Sequence, residues 1–117
     1  MTRINLVYPS ALTRQHLIAE YRELPRIKNL HPRISYNIPN SYRMGSGHVL
    51  FFMDKGLWLI DRYDQLVCEM QNRGYHVSYP ELDLSHWPES MMNDWEPSKE
   101  EIEISQVRIN EKLGVLK

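Results

Sequence analysis

The chain is 117 residues long, 42% apolar and 25% charged, with a net charge of −1; that is enough for one core without staples, and no tract is biased enough to stay disordered. Its one cysteine, Cys68, excludes an internal disulfide and, lying in an apolar helix-like run, reads as a buried reduced thiol. No apolar run reaches the roughly 18 residues of a membrane span, and residues 1–15 lack the plan of a signal peptide, so a cytoplasmic protein without a membrane partner is expected.

The sequence predicts an all-α fold, a single domain over residues 1–117 made of three helices joined by long proline-rich loops. The first helix begins near Ser10, a good N-cap behind Pro9, and runs through ALTRQHLIAEYRE until Pro25 ends or kinks it. Residues 27–47 carry Pro32, Pro39, Gly45 and Gly47 and read as a long functional loop. HVLFFM follows; it could form a strand, but nothing offers it a partner. A second helix spans roughly 57–72, with Leu59, Tyr63, Leu66, Val67 and Met70 at spacings of three and four and Gly74 as its stop. Residues 75–97 are irregular. The third helix opens on Ser98 and Glu101, a capping box, with Ile102, Ile109 and Leu113 as its buried stripe, widened by Ile104 and Val107.

On a helical wheel the first helix has two sides. Leu24, Leu17, Tyr21, Ile18 and Ala11 form the core side, while Arg22, Gln15, Ala19, Glu23 and His16 share a polar sector. From the residues alone, that sector reads first as solvated surface. It reads second as a phosphate grip, with Arg26 added, in which Glu23 is a carboxylate that weakens binding to a polyanion and so needs a chemical reason such as general base work. The charge gradient leaves this second reading open. Residues 1–55 hold eight Lys/Arg against three acids, a net of +5, and the remainder a net of −6, so one face can still meet phosphate. If Met1 is removed, the chain begins at Thr2, followed by the cation Arg3. A free α-amine titrates near 7.7–8.0, so about 10–15% is neutral at pH 7, and it can attack an aldehyde-like carbon as a catalytic lysine does.

MTRINL, SALTRQHLIAEYRELPR, GSGHVLFFMDK and ISQVRINEKL, in this order over about half of the chain, resemble the pyrimidine-dimer DNA glycosylase and abasic-site lyase family of the phage ultraviolet endonuclease V type. The resemblance implies a helical DNA-repair enzyme whose N-terminal threonine amine attacks C1′ of the damaged nucleotide, displaces the base, forms an imine and cuts the strand by β-elimination. It makes Thr2 the nucleophile and Glu23 the essential carboxylate. Arg3, Arg22 and Arg26 become phosphate contacts around the lesion, Gln15, His16, Arg108 and Lys112 further DNA contacts, and His48 a residue of the DNA-facing edge. It implies no metal and no organic cofactor. The partner is duplex DNA carrying a lesion or abasic site, met by a monomer.

Relative to the phage pattern, the loop before GSGH is shorter and less basic, the net charge is near neutral, and an aromatic-rich tail after the third helix is expected to be missing. Lyase chemistry is therefore the safer expectation and preference for cyclobutane dimers the less safe one. The alternative is an abasic-site lyase or a damaged-DNA-binding module without dimer glycosylase activity; a third reading is a helical protein-interaction domain using the acidic half. Trp58 is expected in the core, Trp87 and Trp95 in structural roles away from DNA, and Phe51 and Phe52 beneath the GSGH turn. Tyr36 and Tyr42 stand as candidate replacements for the aromatic tail.

Overall fold

The helix Gly56–Asn72 packs against the helix Arg14–Glu23 and the turns Pro9–Ala11 and Phe52–Asp54. The computed structural model describes residues 4–29, 38–43 and 47–113, apart from the side chains of Lys28, Lys112 and Leu113. Its helices are α1 (Arg14–Glu23), the single turn α2 (His48–Phe51), α3 (Gly56–Asn72) and α4 (Lys99–Leu113), with short 3-10 turns between them and no strand among the described residues. The fold class is all-α. HVLFFM, left without an element in the sequence, is α2 running on into the 3-10 turn Phe52–Asp54.

The predicted stripe of α3, Leu59, Tyr63, Leu66, Val67 and Met70, is buried throughout. Its end is a Schellman cap: Gly74, at φ +78°, donates its N–H to Gln71 O at 3.0 Å, and Tyr75 donates to Met70 O at 2.9 Å. The same stripe turns Asp64, Gln65, Cys68 and Gln71 outward. Cys68 is accordingly exposed, and the expected buried thiol is corrected: two residues beyond Leu66 lies the far side of the helix. At the other end, Gly56 lies against the 89–93 turn so closely that an added Cβ would stand 2.2 Å from Met92 Sδ and 3.3 Å from Met91 O.

α1 starts later than predicted. Pro9–Ala11 forms a separate 3-10 turn, and Thr13, not Ser10, is the N-cap, its hydroxyl accepting the His16 N–H at 3.3 Å. Arg73 stabilises this arrangement, because one guanidinium nitrogen donates to Pro9 O at 3.2 Å and Leu12 O at 2.8 Å while Nε pairs with Glu69 at 2.7 Å. Leu17 and Leu24 are buried as expected and Ile18 and Tyr21 pack against the core, but Ala11, outside the helix, is exposed. Pro25, which has no N–H to donate to Tyr21 O, turns the α-helix into the 3-10 stretch Leu24–Asn29.

An aromatic cluster fills the space under α2. Phe51 and Phe52 are buried, Trp58 stacks on Phe52 at 5.1 Å, and Trp95 meets Phe51 edge-on at 5.0 Å. Trp87 is buried, and Trp58 and Trp95, half-buried, are packed against the core. Tyr42 is also buried, which corrects its candidacy as a tail substitute; Tyr36 lies outside the described residues.

The capping box of α4 forms as read: Ser98 N donates to Glu101 Oε1 at 3.0 Å and Glu101 N to Ser98 Oγ at 3.1 Å. Its buried stripe differs. Ser105 and Ile109 face the core, whereas Ile102, Ile104 and Val107 are 37%, 42% and 39% exposed. Polar ties from Ser105 and Arg108 to the N-terminal segment set the helix's rotation, which apolar spacing alone could not show.

Glu101 does more than cap, since its Oε2 also accepts the Tyr42 N–H at 2.8 Å. Burial pushes its carboxyl up, but the N–H groups of Ser98 and Tyr42 outweigh that and hold it below its ordinary value. We expect Glu101→Ala to cost about 1–2 kcal/mol in urea unfolding at pH 7. A carboxyl lowered on folding adds stability above the unfolded carboxylate range, near 4.3, and loses it as pH falls through its folded value. The gap between wild type and Glu101→Ala should therefore narrow below about pH 4.

Candidate functional site

Residues Ile4 to Val7 belong to no helix, so their backbone N–H and C=O groups must find partners elsewhere. Side chains from α2, α3, α4 and the 38–43 segment supply four of these partners, and α1 holds the Asn5 side chain. The Ile4 N–H donates to His48 Nε2 at 2.9 Å, and Ile4 O accepts from the Tyr42 hydroxyl at 2.9 Å. The Leu6 N–H donates to Ser105 Oγ at 3.0 Å, and Val7 O accepts from Arg62. The Asn5 amide donates to Glu20 Oε1 at 2.8 Å, while its oxygen accepts from Arg108.

Beneath this segment, Glu20 and Arg62 form a bidentate pair with Nε–Oε2 at 2.7 Å and Nη2–Oε1 at 2.9 Å. Both side chains are almost completely buried, at 1% and 3% exposure. Each oxygen of Glu20 is thereby engaged, as a charge removed from water requires. Burial raises the Tyr42 phenol above its ordinary value, against smaller opposing effects of Ser105 and Arg108, so the hydroxyl keeps the proton it gives to Ile4 O.

α1 carries this network on its inner side and the predicted polar sector on its outer side. Gln15 and Arg22 are exposed and line a shallow depression of about 460 Å³ with Arg14, Ile18 and Ala19. Arg22 and Arg26, also exposed, share a groove of about 490 Å³ with Tyr21, Pro25, Tyr63 and Tyr79. In its floor Tyr21 stacks on Tyr63 at 5.9 Å, and the Tyr21 oxygen accepts the Ser78 N–H at 3.0 Å. Gln15, Arg22 and Arg26 thus lie along one continuous surface. Glu23 is half-buried, one turn beyond Glu20. His16 is half-buried too, its Nδ1 2.9 Å from the Thr13 hydroxyl.

Two predicted site residues stand elsewhere. His48, expected at a DNA-facing edge, is 2% exposed, with one ring nitrogen on the Ile4 N–H and the other 2.7 Å from Arg43 O; the ring belongs to the interior. Arg108 is half-buried with its guanidinium on Asn5. Lys112 is on α4, but its side chain, like the whole of Thr2 and Arg3, lies outside the described residues. No group of three or more His, Cys, Asp or Glu among the described residues could hold a metal ion. No described helix is long and apolar enough to cross a membrane.

Asn5, Glu20, Arg62 and Ser105 escaped the sequence reading, and Tyr42 entered it in another role. Two carried a signal: Glu20 lies between the core positions Leu17 and Leu24, and Arg62 interrupts the apolar stripe of α3 between Leu59 and Leu66. Opposite charges inside two buried stripes point to a buried pair. A protein-family model described as pyrimidine dimer DNA glycosylase matches residues 1–82, which take in the N-terminal segment, α1, α2 and α3.

Proposed function

The chain belongs to the pyrimidine dimer DNA glycosylase family, and from that membership as a DNA-repair glycosylase we propose that its chemistry runs through the α-amine of Thr2, with an abasic-site lyase step following base release. The amine attacks C1′ of the lesion nucleotide as the glycosidic bond breaks and the base leaves with the bonding pair. Loss of the amine proton and opening of the sugar give an imine. Removal of a C2′ proton then expels the 3′ phosphate by β-elimination, and hydrolysis returns the free amine. Glu23 stabilises the cationic imine and carries protons. Arg3, Arg22 and Arg26 hold phosphates around the lesion, with Gln15, His16 and Lys112 as further contacts, in a monomer whose 117 residues work as one domain.

The observation that carries this reading is the fastening of Ile4–Val7 against α1, with Asn5 bonded to Glu20 one turn before Glu23. Thr2 is two residues from Ile4 along the chain, a separation of at most about 7 Å. The neighbouring cations Arg22 and Arg26 suit the phosphates of a duplex. Lesion DNA is less well stacked and cheaper to deform, which favours damaged over intact sites.

Borohydride added during reaction with an abasic duplex and with a cyclobutane-dimer duplex tests the proposal. A covalent adduct on both substrates, mapped to Thr2 of Met1-processed protein, is expected. An adduct with the abasic duplex alone would remove the dimer glycosylase step and leave the lyase. Binding without any adduct would reduce the protein to a damage-binding module.

A further inference from the structure

We propose that His48 is a positioning residue which, with Tyr42, grips both backbone polar atoms of Ile4 and so sets the course of the chain carrying the reactive amine; this rests on the Thr2 reading above. The first residues of a domain ordinarily fray unless tied down. Here Ile4 is held three ways: its side chain is fully buried, its N–H lies on His48 Nε2 at 2.9 Å, and its C=O lies on the Tyr42 hydroxyl at 2.9 Å.

The partners assign the tautomer of the imidazole. The Ile4 N–H can only donate, so Nε2 carries a lone pair; Arg43 O, 2.7 Å from Nδ1, can only accept, so Nδ1 carries the hydrogen. The ring is therefore neutral and links the 38–43 segment to Ile4 through α2. Tyr42 and Phe52 meet it edge-on at 5.3 and 5.7 Å and keep it upright. A ring 2% exposed is not placed to touch DNA, and a residue needed only for packing would not require an acceptor at Nε2. What the acceptor holds is a backbone atom two residues from Thr2. Attack on C1′ requires the reacting atoms at about 3–3.5 Å, and a misplacement of about 1 Å can cost on the order of 100-fold in rate.

His48→Leu keeps the apolar contacts and removes the acceptor. In single-turnover trapping on an abasic duplex, its imine formation is expected to fall roughly 10- to 100-fold with duplex affinity within about twofold of wild type. His48→Gln, whose side-chain oxygen can accept at the same depth, should recover most of the rate. Tyr42→Phe, which deletes the other grip together with the hydroxyl's contact to Ser105, should lose rate without loss of affinity, and it carries the test if His48→Leu does not fold. Hydrogen exchange at the Ile4 amide, expected to be slow in wild type, should speed at least about tenfold in His48→Leu but not in Leu66→Val, a core change that removes none of these bonds. Equal rate losses in His48→Leu and Leu66→Val would overturn the proposal, as would affinity falling in step with rate or an unchanged Ile4 exchange. An adduct mapped to a lysine overturns the Thr2 reading and the proposal with it. An adduct on Thr2 with full rate in His48→Leu overturns the proposal alone.

Discussion

Acetylating the α-amine of the Met1-processed protein is expected to abolish cleavage of an abasic duplex, and Glu23→Gln to slow it by about 10²–10⁴-fold. The amine has no substitute in the proposed scheme, because an amide nitrogen has no lone pair for C1′ and cannot form an imine. Lysine amines, titrating near 10.4, are less than about 0.1% neutral at pH 7 and are poor replacements. Gln in place of Glu23 keeps the side chain's size and removes the negative charge that balances the cationic imine. Duplex binding should survive both changes, since the exposed cations Arg22 and Arg26 are untouched. Acetylation removes one positive charge, which should flatten the dependence of log affinity on log salt by no more than about 0.9. Denaturing gels for cleavage and titrations at several salt concentrations check the two halves. Normal cleavage by the acetylated protein would exclude the amine mechanism, whatever Glu23→Gln does.

The largest effect on stability is expected at the buried pair. Glu20→Ala should destabilise the protein by about 3–5 kcal/mol, measured by urea unfolding, because it leaves the Arg62 guanidinium charged and buried without its carboxylate. That is a large part of the roughly 5–15 kcal/mol that holds a domain of this size. Asn5 loses a partner in the same change, since its amide donates to the Glu20 oxygen that also accepts from Arg62 Nη2. The double replacement Glu20→Leu with Arg62→Met should cost clearly less than Glu20→Ala, because no unpaired charge stays inside. It should still weaken the N-terminal segment, as Arg62 also donates to Val7 O. A single replacement no worse than the double one would show that the pair is not the stabilising unit described here.

These two expectations differ in how much of each the sequence held. Thr2, Glu23 and the cations around them come from contiguous blocks, MTRINL and AEYRELPRI, in which chemistry and spacing are both local. The capping box of α4, the stripe of α3 and the stop at Gly74 are legible for the same reason: each is written within one or two turns of helix. The later start of α1 at Thr13 marks the edge of that legibility, since Ser10 and Thr13 are both acceptable caps and Arg73, some sixty positions away, helps to settle the turn before Thr13.

By itself, then, the sequence determined an all-α chain, its two long helices and the family to which its blocks belong. Tertiary structure alone decided which polar groups go inside and what they hold. Asn5 meets Glu20 across 15 positions, Glu20 meets Arg62 across 42, Ile4 meets His48 across 44, and Leu6 meets Ser105 across 99. No local spacing encodes such bonds, because each exists only once packing has brought its two ends within about 3 Å. That is why His48 reads as a surface residue in its motif and is, in the fold, the acceptor that holds Ile4.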